Sequence, residues 1–171
     1  MIPDFPFRVI AEYQKILPVD VEKLARRLGL SIRRGDLEDG VYGKLSQNYG
    51  DSYASGYTIY VNRNDARIRQ RFTIAHEIAH YILHRDLIGS QVVDREMYRS
   101  NLASIYETQA NRLAADILMP AALVEDEFRN YRDIALLARR FDVSAAAMEI
   151  RLHSLGLNPE LPASETSQAS R

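Results

Sequence analysis

Apolar residues recur at helical spacing along much of the chain. Phe7, Ile10, Ala11, Ile16 and Leu17 predict a first helix over 7–17, stopped by Pro18. Asp20 is placed to cap a second helix running through Leu28, and Gly29 stands where a left-handed closing residue is wanted. Residues 31–34 read as a short strand and the run RGDLEDG as a turn. The segment 41–46 alternates weakly. The segment 57–62 alternates well, with Tyr57, Ile59 and Val61 on one face and Thr58, Tyr60 and Asn62 on the other. With the polar loop QNYGDSYASG between them, these two predict a small antiparallel hairpin.

A third helix follows from a cap at Asn64 or Asp65 to about His84, with Ile68, Phe72, Ala75, Ile78, Ala79 and Ile82 as its buried face. Gly89 and the polar residues after it read as a loop. A long helix is expected over 102–119, and Pro120 restarts the chain as a helix. Asp133 and Ser144 are candidate caps for two more helices, the last closed by Gly156. The run from Asn158 onward has few bulky apolar residues and reads as a disordered tail. The expectation is one domain over 1–157 and a tail over 158–171. Its end, 133–157, resembles a helix-turn-helix, because LARRFDVS echoes LARRLGLS near the start.

Composition changes this picture little. The hydrophobic fraction of 46% and charged fraction of 26% are ordinary for a globular chain of 171 residues. A net charge of −1 does not point to nucleic acid or an anionic membrane. The absence of cysteine excludes disulfides and thiolate metal sites. The start, MIPDFPFRVI, lacks a signal peptide's basic and apolar regions, and no apolar run approaches the ~20 residues that span a bilayer. These features make a cytoplasmic protein the default expectation.

The chemistry lies in His76-Glu77-Ile78-Ala79-His80. Four residues apart on a helix, the two histidines lie on one face a turn apart, so both imidazoles can converge on one ion. Zinc suits neutral imidazole, and a catalytic zinc takes three protein ligands and keeps one position open. Glu77, rotated by roughly 100°, can stand beside the ion and take a proton from water as general base. A third ligand is needed. His84 lies ~12 Å from His76 along the axis, too far to share one ion on a straight helix, so it is expected to hydrogen-bond locally. Glu107, on the next long helix, is the better candidate. Ala110, Asn111 and Ala114 share its face: the alanines permit close approach, and Asn111 can orient a ligand. Asp94, Glu96 and Asp116 compete, and spacing alone does not dismiss them.

The helix HEIAHYILH followed by ETQANRLAADILMP resembles the ImmA/IrrE family of metallopeptidases, through His76, Glu77, His80, Glu107, Ala110, Asn111, Ala114, Leu118, Met119 and Pro120. The segment LARRFDVSAAAMEIRLHSLGL is similar to the end of that family's domain. The resemblance covers roughly 21–157. It implies zinc held by His76, His80 and Glu107, with Glu77 as general base. It also implies an α+β fold: a compact, zincin-like domain of minimal gluzincin type, with a small antiparallel sheet packed on helices and a C-terminal helical bundle. For function it implies a regulatory metalloendopeptidase that cleaves a helix-turn-helix repressor or similar protein. Some relatives carry an added repressor-like domain at the N-terminus. The short segment before this domain leaves no room for one, so the partner is expected to be a separate protein.

Other residues carry weaker signals. Tyr42, Tyr57, Tyr60 and His153 are candidate donors to a developing oxyanion, although tyrosine in a strand more often packs. By analogy with zincins, 41–46 or 57–62 could pair with an extended substrate. Arg67, Arg69 and Arg71 read as a solvated face that could also grip an acidic segment. The helix after Ser144 is Ala-rich, with Arg151, His153 and Ser154 as its nucleic-acid contacts and Glu149 opposing them, which argues against direct DNA binding. The competing readings are a non-proteolytic, metal-containing regulator that binds a protein or DNA, and a component of a toxin–antitoxin pair.

Overall fold

In the computed structural model, residues 4–47, 55–87 and 101–158 are described. The elements run α1 (Asp4–Tyr13), α2 (Val21–Arg27), β1 (Ser31–Gly35), β2 (Gly43–Gln47), β3 (Tyr57–Asn62), α3 (Arg67–His84), α4 (Asn101–Leu118), α5 (Ala121–Tyr131), α6 (Ile134–Phe141) and α7 (Ala145–Ser154). A short 3₁₀ turn, Arg85–Leu87, follows α3. The α+β class expected from the sequence is what the chain adopts. The expected loop after Gly89, most of the tail, and the competing carboxylates Asp94 and Glu96 lie outside the described residues.

The sheet differs from expectation. Its order is β1-β3-β2. β2 pairs antiparallel with β3, Leu45 opposite Ile59, as the hairpin reading requires. β1 pairs parallel with β3, Ile32 opposite Ile59, so the sheet is mixed. Alternation within a strand identifies the strand but not the direction of its partner. One consequence is topological. β3 is central and has both edges paired, so of the two segments offered for strand addition only β2 keeps an edge unpaired among the described residues.

Local chemistry sets several boundaries. Asp20 accepts from Lys23 N at 3.0 Å, Asp133 from Leu136 N at 2.9 Å and Ser144 from Ala147 N at 3.1 Å, so all three candidate caps serve. Gly29 and Gly156 have φ of +83° and +68° at the positions that close α2 and α7. The cap of α3 is Ala66, not Asn64 or Asp65. Asn64 is already tied to Asn62 and Asp36, and the Asp65 carbonyl takes the Gln70 amide. Pro120 takes the N-cap of α5, one residue before the first helical position.

One apolar core runs from Val9 to Leu152 and joins Ile59 and Val61 of the sheet to Ile74, Ala75 and Ile78 of α3. Ala110 and Ala114 are fully buried, and α3 and α4 make the most extensive contact between elements. Ile68, expected inside, is 38% exposed in the first turn of α3. Arg67 and Arg71 tie that turn to Asp142, which adopts φ +55° after α6. Hydrogen bonds from Arg67 hold the Asp142 carboxyl below its ordinary value of 3.8, against burial and with help from the Arg71 charge. A carboxyl with a depressed folded pKa stabilises the fold above its unfolded pKa and loses that contribution as pH falls through the folded one. Asp142→Asn should therefore be less stable than wild type at pH 7, with the difference shrinking below about pH 4. Urea unfolding at pH 7 and pH 3 measures this.

Candidate metal centre

α3 and α4 lie side by side because small residues line their contact, and this places Glu107 across from one face of α3. His76 Nε2 is 3.3 Å from a Glu107 carboxylate oxygen, and His80 Nε2 is 3.2 Å from the other. The two imidazole Nε2 atoms are 3.0 Å apart. Ligand atoms placed tetrahedrally at 2.0–2.1 Å from an ion are about 3.3–3.4 Å from one another, and each imidazole nitrogen stands near that spacing from one of the two Glu107 oxygens. Among the described residues His76, His80 and Glu107 form the group whose ligand atoms converge, all within 4.8 Å. The donor set, two imidazoles and a carboxylate, suits a borderline divalent metal. Both histidine side chains are mostly buried, at 16% and 12% exposure, while Glu107 is 53% exposed, so one side of the trio is open to solvent.

The far nitrogens of both histidines are held. Asn111 Oδ1 can only accept, so at 3.0 Å it requires His76 Nδ1 to carry the hydrogen. That leaves the Nε2 lone pair facing the trio. His84 does not join the trio, and its role is found one step back. Its Nε2 donates to Gln109 Oε1 at 3.0 Å, so its Nδ1 accepts from His80 Nδ1–H at 3.1 Å. His80 Nε2 is thereby also left with its lone pair facing inward. His84 is buried at 3% exposure, and that burial lowers its pKa and keeps it neutral, as this chain of bonds needs. His84 meets its local hydrogen-bonding expectation.

Electrostatics follow from the same contacts. With a proton on the inward Nε2 in the place an ion would take, His76 and His80 donate to Glu107 and hold its carboxyl well below the usual carboxylate range. Burial works against a proton on His76, but hydrogen bonding to Glu107 and the charges of Glu77 and Glu107 raise its pKa overall. Burial pushes Glu77 up, against the opposing influence of His76 and His80. Glu77 is 7% exposed and accepts the Leu45 backbone N–H of β2. β2 can come this close because residue 43 is glycine. A Cβ there would stand 2.3 Å from Thr73 Cγ2 and 2.9 Å from the Tyr60 carbonyl oxygen. Sequence reasoning missed Leu45, Gly43 and Gln109, whose roles depend on tertiary proximity with no signature in spacing.

Other candidates are engaged elsewhere. Asp116 pairs with Arg151 at 2.7 Å. Arg151 is buried and donates to the Met119 carbonyl at 2.9 Å, so it is not available as a nucleic-acid contact. The exposed face of α7 is Ala145, Ala146, Glu149, Ile150, His153 and Ser154. Tyr57 donates to the Arg85 carbonyl at 3.3 Å, Tyr60 lies under Lys44, and the exposed Tyr42 lies under Arg69. No described helix is long and apolar enough to cross a membrane.

Comparison with known proteins gives the same picture from another direction. The model of a peptidase family described as the IrrE N-terminal-like domain matches residues 25–153. A radiation response metalloprotease IrrE from Deinococcus deserti is 39% identical over 107 residues, covering 60% of this chain and 38% of that protein. Its counterpart from Deinococcus radiodurans is 36% identical over 93 residues, covering 52% and 28%. The matched region thus spans well under half the length of these relatives. Among solved structures, a Mycobacterium tuberculosis transcriptional regulator superposes with a TM-score of 0.59 over 87% of this chain and 46% of its own, at 18% identity, a likeness of fold.

Proposed function

Because the chain belongs to the IrrE N-terminal-like family of metallopeptidases, we propose that it is a zinc-dependent endopeptidase whose metal is held by His76, His80 and Glu107 and whose general base is Glu77. The convergence of three ligand atoms beside a buried carboxylate carries this reading. Zinc bound there would supply Lewis-acid polarisation of a water molecule and of the scissile carbonyl. Glu77 takes the proton from the attacking water and hands it to the leaving amine. Its burial supports this role, since raising the carboxyl above its ordinary value makes it a stronger acceptor of the water's proton. The Leu45 amide fixes the orientation of the Glu77 carboxylate, and the outer edge of β2 beside it offers main-chain pairing to an extended substrate. Asn111 and the Gln109–His84 pair keep both imidazoles in the tautomer that ligates.

The substrate in this reading is a protein, with a helix-turn-helix repressor as the first candidate, and the setting is cytoplasmic. The test is incubation of the zinc-loaded chain with the repressor encoded beside it. Chelator-sensitive cleavage at a single site supports the reading. A repressor that binds tightly and stays intact overturns the endopeptidase role. The supporting groups make their own prediction. His84→Ala should weaken zinc binding about 10–100-fold while leaving the ligand set unchanged. Competition with a chromogenic chelator reads that loss directly, and circular dichroism checks that the variant is folded.

A further inference from the structure

A polar cleft lies away from the metal centre. It has a volume of about 320 Å³ and sits between α2, β1 and the first half of α3. Arg67, Gln70, Arg71 and Ile74 form its α3 wall. His76 and His80 are rotated from Ile74 by roughly 200° and 240° about the helix axis, so the cleft and the trio occupy opposite faces of α3. Five cationic side chains line the cleft, Lys23, Arg26, Arg34, Arg67 and Arg71, together with the carboxylates of Asp20 and Glu22.

The pairing within this cluster is uneven. Glu22 serves two guanidinium groups, Arg26 at 3.1 Å through one oxygen and Arg34 at 2.5 Å through the other. Asp142 also serves two, Arg67 and, at 3.0 Å, Arg71. Lys23 is matched by Asp20 at 3.0 Å. Among the described residues five cations therefore share three carboxylates, an excess of two positive charges at the walls of one cleft. These bonds use only part of each guanidinium's five donors, and planar forks of this kind suit tetrahedral oxyanions. A phosphate monoester carries close to two negative charges at neutral pH and balances that excess. The volume lies at the small end of ligand pockets, enough for a phosphate and a short organic substituent.

We propose that this cleft is a binding site for a small phosphate monoester, separate from the metal centre. Arg34 and Arg67 grip the phosphate from opposite walls, and Glu22 is the group with which it competes. The test is calorimetric titration of the full zinc-loaded chain with inorganic phosphate and with glycerol 3-phosphate, at ionic strength fixed with sodium chloride. Saturable binding of one equivalent is expected for both. Arg34→Gln should weaken it about tenfold, the loss of one charge-assisted bond. Glu22→Gln should strengthen it several-fold by removing the competing carboxylate. Opposite signs from two partners of one ion pair do not arise from a folding defect, and thermal melts of both variants check the fold. The proposal is overturned by an absence of saturable binding, or by an affinity unchanged in both variants, as for phosphate at the metal. Binding of a phosphoserine peptide with no binding of the two small probes also overturns it.

Discussion

Replacing Glu77 with glutamine is expected to lower kcat for peptide cleavage by about 10²–10⁴-fold, the contribution of a general acid–base group, while zinc content stays at the wild-type value. Glutamine keeps the shape of glutamate, and its carbonyl oxygen can still accept the Leu45 amide that orients the native side chain. It cannot accept a proton from water. Because Glu77 stands beside the trio and supplies none of its three converging atoms, metal should bind as before. Single-turnover cleavage together with elemental analysis separates the two quantities. Loss of metal along with activity would make Glu77 a structural support of the site, and full activity would remove it from the mechanism.

Glu107→Gln should have the opposite profile, losing the metal first and activity as a consequence. The carboxylate contributes the negative charge that two neutral imidazoles lack, and both histidines lie within 3.3 Å of it. A ligand that binds only the folded state stabilises it by RT ln(1 + [L]/Kd), about 4 kcal/mol at a thousandfold excess over Kd. For a domain of this size that raises the wild-type melting temperature by about 10 °C on zinc addition. Glu107→Gln should lose most of that rise. A variant that keeps the full zinc-induced shift would place the third ligand elsewhere.

The histidine pair was legible because spacing of four on a helix is a local property, fixed within one turn. Glu107 was favoured as third ligand by the small residues on its face and by the family resemblance, but spacing alone did not dismiss Asp116, because that choice depends on how two helices pack. Glu107 and Asp116 are both carboxylates on α4. They are separated by what faces them: His76 and His80 for the first, the buried Arg151 for the second. The same holds for Arg151, named from the sequence only as a contact should α7 read DNA, which the fold turns inward to the Met119 carbonyl. Caps at Asp20, Asp133 and Ser144 were read correctly because each acts within three residues. At Asn64 the side-chain amide is drawn to the more distant Asp36, and α3 begins only after Ala66, past both candidate caps. The parallel pairing of β1 with β3 lay beyond alternation, since the pleat is the same for either direction. The alanines of α4 signalled close approach, whereas Gly43 did not, because its neighbours Thr73 and Tyr60 come from distant parts of the sequence.

The most direct test is a crystal structure of the zinc-loaded chain with the ion located by anomalous scattering at its absorption edge. The account predicts one ion at about 2.0–2.2 Å from His76 Nε2, His80 Nε2 and a Glu107 oxygen, with a fourth position left for water. It also predicts His84 off the metal and bonded to His80 Nδ1. An ion ligated by His84, or one held without Glu107, would contradict it.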